Sequence, residues 1–269
     1  MSDFETIVCD VETTMKYVVR GEKSTFHAGE REKSYWPVDE RRVMIHDVRP
    51  IAEQLSFERN GFVLADESTD VTEFADQDEL ARYQLQTEAL VRRLTGADKV
   101  VSFGPMIRTN ASGAHGHNQP AFGAHVDYGA RTVADFTRDL LPADEAERRL
   151  QRRHMLINVW RPITMVESAP LALCDASTVR REDLFDSEVV GGLGDFNRRS
   201  LWGFNLAYHP GHRWYWVPHM QPWEALVFKL YDSDPEATQF TAHSAFEDPN
   251  TPPDAAPRQS VEVRTIAYL

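Results

Sequence analysis

The sequence predicts a β-rich α+β fold arranged as a single domain, and two patterns carry that expectation. Helical periodicity is concentrated early, in one long segment, while short alternating or β-branched runs dominate the rest of the chain. Strands and helices do not alternate as βαβ units, so an antiparallel β core with flanking helices fits better than a parallel sheet. A double-sheet jelly roll of the cupin kind is the natural container. The chain has 269 residues and 42% hydrophobic content, enough for one large domain.

Taken in order, residues 15–45 are polar, mixed in charge and weakly periodic, and residues 1–46 read as an N-terminal arm. Residues 54–62 read as a short element ending in a turn at Asn60-Gly61. The clearest helix covers residues 77–95. Asp76 followed by Glu79 is a capping pattern. Leu80, Tyr83, Thr87, Leu90, Val91 and Leu94 share a face, and Gly96 is a stop signal. Strands are expected from Val100 toward Arg108 and from Ala124 to Tyr128. A polar helix follows Pro142, over about residues 143–153. Further strands are expected at residues 155–160, 214–217, 225–231 and 258–268. Residues 189–218 open on Gly191-Gly192-Leu193-Gly194 and turn aromatic, which suggests a lid or an insertion. That glycine run lacks Gly-x-Gly-x-x-Gly spacing and is not a phosphate loop.

The formal net charge of −13 argues against nucleic acid and anionic membrane surfaces as partners. Cys9 and Cys174 form neither a Cys-x-x-Cys pair nor a disulfide framework. The first residues lack a signal-peptide layout, and no apolar run is as long as a membrane span. The expectation is a cytoplasmic protein with reduced thiols acting on a small molecule. A homodimer or a partner subunit stays open.

The chemistry concentrates in His125-Val126-Asp127. Alternate residues on a strand face one side, so an imidazole and a carboxylate can meet one ion. His243, in Thr241-Ala242-His243-Ser244-Ala245-Phe246, supplies a third ligand. His219 competes with it but lacks a following Arg-x-Ser. Two His and one carboxylate, with open positions on the metal, make the facial triad of non-heme Fe(II) oxygenases. Arg258 and Ser260 share parity on the last strand, and a buried Arg beside a Ser is a bidentate carboxylate receptor. Asn158 and Trp160 also share parity. They either donate to a bound oxo acid or form a packed Trp with an edge Asn.

Other residues have plainer alternatives. His209-Pro210-Gly211-His212 reads as a surface loop before it reads as a metal site, and His115 and His117 lie near the approach to the first ligands. Trp202, Phe204, Trp214, Tyr215 and Trp216 either line a pocket or pack in the core. Arg108, Arg131 and Arg161 either meet a substrate carboxylate or form surface pairs.

The order His-x-Asp, His, Arg-x-Ser resembles the Fe(II)/2-oxoglutarate-dependent oxygenases. More narrowly, it resembles the group of the cephamycin 7α-methoxylase component, gibberellin desaturase-like proteins and fungal meroterpenoid oxygenases. Further blocks of the resemblance are Gly61-Phe62, Leu94-Thr95-Gly96-Ala97, Arg108, Asn158-Val159-Trp160-Arg161-Pro162, Glu224 to Lys229 with Tyr231-Asp232-Ser233, and Arg258 to Arg264. The resemblance implies a double-stranded β-helix core and the cofactor set Fe(II), 2-oxoglutarate and O₂. It implies His125, Asp127 and His243 as iron ligands, with Arg258 and Ser260 on the distal carboxylate of 2-oxoglutarate. Asn158 would lie near the cosubstrate. Trp160 stands where related plant oxygenases have a tyrosine, so an indole replaces a phenol. The implied activity is oxidation of a C–H bond in a small specialised metabolite by hydroxylation, desaturation or ring formation, releasing succinate and CO₂. Asp127 disfavours halogenation, which needs that carboxylate replaced by a small residue. A metal-cupin enzyme independent of 2-oxoglutarate and a component that needs a partner subunit are the alternatives.

Overall fold

The computed structural model describes residues 9–27, 30–113, 119–191 and 201–269. The described residues form two sheets packed face to face in a jelly roll, with three α-helices outside them.

The larger sheet has nine strands. In chain order they are β1 (Val11–Val18), β2 (Ser24–His27), β3 (Val38–Asp47), β6 (His125–Val126), β8 (Leu171–Cys174), β9 (Leu184–Val190), β10 (Leu201–Leu206), β11 (Trp214–Trp216) and β13 (His243–Ala245). In space the order is β1-β3-β11-β8-β13-β6-β10-β9-β2. The smaller sheet contains β4 (Phe62–Asp66), β5 (Lys99–Thr109), β7 (His154–Pro162), β12 (Glu224–Asp232) and β14 (Gln259–Tyr268), in the order β4-β12-β7-β14-β5.

Helix α1 (Gln77–Thr95) forms where the periodicity places it. The Asp76 carboxylate accepts from the amides of Asp78 and Glu79, and Gly96 closes the helix in the left-handed region at φ 71°. Its apolar face, Leu90 and Val91, packs on the outer face of the smaller sheet against Ile157, Val159, Val227 and Ala267. This explains why β7 is buried at all nine positions. One side meets α1 and the other side faces the larger sheet.

Residues 9–46 depart from the expected arm. β1 and β3 pair antiparallel over eight residues, from Val11 with Ile45 to Val18 with Val38, and β3 joins β11 in parallel. Val11, Thr13, Met15 and Tyr17 are buried, so the period-two signal was present but diluted by the charged outer face.

Residues 189–218 also depart from a lid or insertion at their ends. β10 lies between β6 and β9, and β11 lies between β3 and β8. Gly192 and Gly194 of the glycine run lie outside the described residues.

Two helices adjust the expectation further. α3 (Ala143–Leu150) stops short of residue 153. α2 (Ala130–Leu140) escaped prediction because Gly129 gives it no side-chain cap, while Thr132 and Val133 read as strand formers. Its buried Val133 and Phe136 seat it, with the Phe136 ring 4.7 Å from Phe103 and 5.3 Å from Tyr128.

Candidate active site

His125 and His243 are direct cross-strand partners, because β6 lies between β13 and β10. Their rings stand 4.3 Å apart. Strand β6 ends at Val126, so Asp127 follows in the bend that leads to α2. The His125, Asp127 and His243 ligand atoms all lie within 4.8 Å of one another.

The tautomers of both histidines follow from their neighbours. His125 Nδ1 lies 2.6 Å from the Gly123 carbonyl, and His243 Nδ1 lies 3.2 Å from the Thr241 carbonyl. A carbonyl only accepts, so each Nδ1 carries the proton and each Nε2 presents a lone pair. Those lone pairs face one oxygen, Asp127 Oδ1, at 3.4 Å from His125 and 3.9 Å from His243. Three acceptors converging with no hydrogen between them repel one another unless a cation sits among them. Burial, with the adjacent His125 opposing a second positive charge, pushes His243 down to about 4, which keeps its ring neutral at neutral pH. Phe228 of the opposite sheet packs on the His243 ring at 4.8 Å.

Burial alone would raise the Asp127 pKa, but the Arg264 guanidinium overcomes it and holds the carboxyl well below its usual range. Arg264 Nη2 and Nε donate to Asp127 Oδ2 at 3.1 and 3.3 Å. The same Nη2 donates to Glu262 Oε1 at 2.7 Å, and Arg108 Nη2 donates to that oxygen at 2.9 Å. Glu262 is pushed down to about 2, because the two arginines outweigh its burial. This row of alternating charge was missed in part. The even spacing that joins Arg258 to Ser260 also puts Glu262 and Arg264 on the inner face, but nothing local shows that Arg108, in register with Ser260, meets Glu262.

The residues expected to hold the cosubstrate lie on that inner face. Strand register sets Asn158 beside Arg264, Trp160 beside Glu262 and Pro162 beside Ser260. Arg258 is 2% exposed and lies over the Trp160 ring at 5.5 Å. Its Nη1 donates to the Ala169 carbonyl at 2.7 Å. Its Nε has no hydrogen-bond partner among the described residues, and neither do Ser260 Oγ or the two amide atoms of Asn158. No carboxylate pairs with Arg258 among the described residues. Burial and the nearby Arg108 charge push it down to about 9, the signature of a buried cation short of an anion.

These are the atoms that a metal chelate with a distal carboxylate would use. The N₂O donor set with open positions suits a hard-to-borderline divalent ion such as Fe(II), and the orphaned guanidinium, hydroxyl and amide suit an oxo dicarboxylate.

The remaining candidates fall elsewhere. His219 is exposed in a turn at φ 46°, outside the cluster. His115 and His117 lie outside the described residues. His209 and His212 gather with Asp183, but Arg20 and Arg180 already bind that carboxylate, at 2.6 and 3.2 Å, where they oppose a cation. Arg161 is on the outer face, bound to Tyr83 and to the carbonyls of Glu67 and Pro222. Trp214 and Trp216 are core residues, Arg131 lies over Trp202, and Phe204 meets Phe240 at 5.0 Å.

One contact ties the N-terminal strands to this site. The Trp36 ring lies so close over Gly123 that a Cβ at residue 123 would overlap it. Gly123 is also the residue whose carbonyl orients His125.

Comparisons with known proteins give the chain's relatives. A family model described as "YDMC: Oxidoreductase/YMDC permease-like domain" matches residues 10–268. Among the described residues, no helix is long and apolar enough to cross a membrane. The chain is 32% identical over 234 residues to the Fe(II)/2-oxoglutarate-dependent dioxygenase nvfI of Aspergillus novofumigatus, covering 84% of this chain and 83% of the relative. It is 26% identical to the hydroxylase/desaturase efuI of Hormonema carpetanum, over 96% of this chain and 95% of that one. A solved structure of the iron and alpha-ketoglutarate-dependent endoperoxidase NvfI superposes with a TM-score of 0.86 at 27% identity, over 97% of this chain and 98% of that one. On family model, sequence and fold together, the chain belongs to the Fe(II)/2-oxoglutarate-dependent dioxygenases, whose cofactor set is Fe(II), 2-oxoglutarate and O₂.

Proposed function

We propose that this enzyme oxidises a C–H bond of a small specialised metabolite, with His125, Asp127 and His243 as the iron ligands and Arg258, Ser260 and Asn158 as the 2-oxoglutarate contacts. One observation carries the cosubstrate half of this reading: the buried Arg258 guanidinium has an unpartnered Nε and pairs with no carboxylate among the described residues. A cupin enzyme that works without an oxo acid leaves that buried charge uncompensated, which favours the 2-oxoglutarate-dependent reading. The reaction type is supported by relatives named as hydroxylase/desaturase and endoperoxidase, and the metabolite class by one named aspirochlorine biosynthesis protein N.

When bound, iron with 2-oxoglutarate and O₂ supplies the oxidising equivalent that removes hydrogen from an unactivated carbon, with succinate and CO₂ as coproducts. The chain's own residues prepare that step. His125 and His243 present neutral Nε2 atoms because the Gly123 and Thr241 carbonyls hold the Nδ1 protons. Asp127 offers Oδ1 and stays ionised. Arg258 and Ser260 would anchor the distal carboxylate of the cosubstrate through their unpartnered Nε and Oγ. Trp160, itself 2% exposed, sets its ring against the Arg258 guanidinium.

The test is an anaerobic titration of the Fe(II) protein with 2-oxoglutarate, followed by the visible charge-transfer band of the chelate. The band is expected in the parent and absent from His125→Ala, Asp127→Ala and His243→Ala. A parent without the band, or a His219→Ala variant that loses it while His243→Ala keeps it, would overturn the assignment.

A further inference from the structure

We propose that Arg264 is a positioning residue for the metal, acting through Asp127, and not a second anchor for 2-oxoglutarate. The inference rests on the reading of His125, Asp127 and His243 as ligands. It goes beyond it by assigning a division of labour between two arginines of one strand.

The two oxygens of Asp127 have separate tasks. Oδ1 faces both Nε2 atoms, while Oδ2 takes two hydrogen bonds from Arg264. A carboxylate free to turn about its Cβ–Cγ bond can offer one oxygen or both. Holding Oδ2 from behind leaves a single end-on donor and keeps the remaining metal positions open to other ligands.

Arg264 is itself immobile. It is buried, its Nη2 also binds Glu262, its Nη1 points at the Gly104 carbonyl at 3.4 Å, and it lies over the Tyr128 ring at 5.5 Å. The Gly104 contact arises where the β5–β14 register shifts between Glu262 and Arg264. Glu262 is held in turn by Arg108. The alternation Arg108, Glu262, Arg264, Asp127 therefore keeps each buried charge next to its opposite.

Arg264 has no fork left for a bound dicarboxylate. Its Nε and Nη2 are used by Asp127 and Glu262, whereas Arg258 has a free Nε and no carboxylate partner among the described residues.

The experiment compares Arg264→Met, Arg264→Lys and Arg258→Met by anaerobic Co(II) titration without 2-oxoglutarate, reading both affinity and the visible d–d bands. Loss of a partner that orients a ligand typically weakens metal binding by about 10–100-fold. That loss is expected in Arg264→Met, with band intensities altered as Asp127 changes its mode of ligation. Arg264→Lys restores part of the affinity, and Arg258→Met binds Co(II) like the parent. At saturating metal the pattern reverses: the 2-oxoglutarate requirement rises in Arg258→Met and stays near the parent value in Arg264→Met. Glu262 keeps its ion pair with Arg108 in Arg264→Met, so a parent-like circular dichroism spectrum and thermal transition of the metal-free variant serve as the folding control. Parent-like Co(II) affinity and bands in Arg264→Met, with loss in His243→Ala, overturn the role of Arg264 alone. Parent-like binding in both overturns the ligand assignment beneath it. A 2-oxoglutarate defect in Arg264→Met at saturating metal makes Arg264 an oxo-acid anchor and also refutes the proposal.

Discussion

Arg258→Met is the sharpest perturbation available, because two of its effects have opposite signs. Methionine keeps the length and apolar volume of the stem against Trp160 and deletes the charge. A charge-assisted carboxylate contact is worth roughly 1.5–3 kcal/mol, so 2-oxoglutarate should bind about ten- to hundredfold more weakly. In a thermal scan of anaerobic Fe(II) protein, ligand at 100 times the parent dissociation constant stabilises the parent by about 2.7 kcal/mol. The same concentration stabilises the variant by about 0.4–1.4 kcal/mol. At about 2–4 °C per kcal/mol, the ligand-induced rise in Tm falls from roughly 5–10 °C to roughly 1–5 °C. Without 2-oxoglutarate the comparison inverts. The parent buries a guanidinium that pairs with no carboxylate among the described residues, and relief of that cost outweighs the hydrogen bond lost to Ala169, about 1 kcal/mol. The ligand-free variant should therefore melt at or above the parent temperature. A variant that melts far below the parent while keeping its full 2-oxoglutarate shift would refute the reasoning, since Arg258 would then be a structural residue.

Ser260→Ala removes another unpartnered buried atom and should weaken 2-oxoglutarate binding by about 0.5–1.5 kcal/mol in isothermal titration, with no loss of ligand-free stability. Gly123→Ala forces the Trp36 ring away and disturbs the carbonyl that orients His125; overpacking of this kind costs about 1–3 kcal/mol, and metal affinity measured by titration should drop with it. Asp183 is a structural carboxylate. Burial raises its pKa, but Arg180 and Arg20 prevail and hold it at about 2, against 3.8 when unperturbed. A depressed folded value means stabilisation that is complete above pH 3.8 and is lost as the pH falls through about 2. Asp183→Asn should therefore cost about 2 kcal/mol at neutral pH, with the deficit shrinking in acid denaturation toward pH 2, and should leave the metal content measured by elemental analysis unchanged.

Much of this arrangement was legible because it is periodic. The α1 boundaries follow from a cap, a stripe and a terminal glycine, all local signals. The inner face of β14 follows from parity, which groups Arg258, Ser260, Glu262 and Arg264 whatever the rest of the fold does. Signals that depend on distant partners were not legible. β1 and β3 look polar because one face is solvated, and their buried residues gain meaning only once β11 is beside β3. Likewise the Arg108–Glu262 pair is fixed by the register between β5 and β14, which no short window encodes. α2 was hidden for a different reason: its propensity is poor, and packing of Phe136 on Phe103 and Tyr128 stabilises it.

The position of β6 between β13 and β10 has a consequence for how the enzyme is made. The strand carrying His125 finds both its neighbours late in the chain, at residues 243–245 and 201–206, and the other edge of the same sheet begins at residue 11. Such pairings have high contact order, and their loop-closure entropy is lost before the contacts repay it. His125, Asp127 and His243 therefore converge only after the chain as far as residue 245 has come into register. On the proposed ligand assignment, the iron site is complete only once these late pairings have formed.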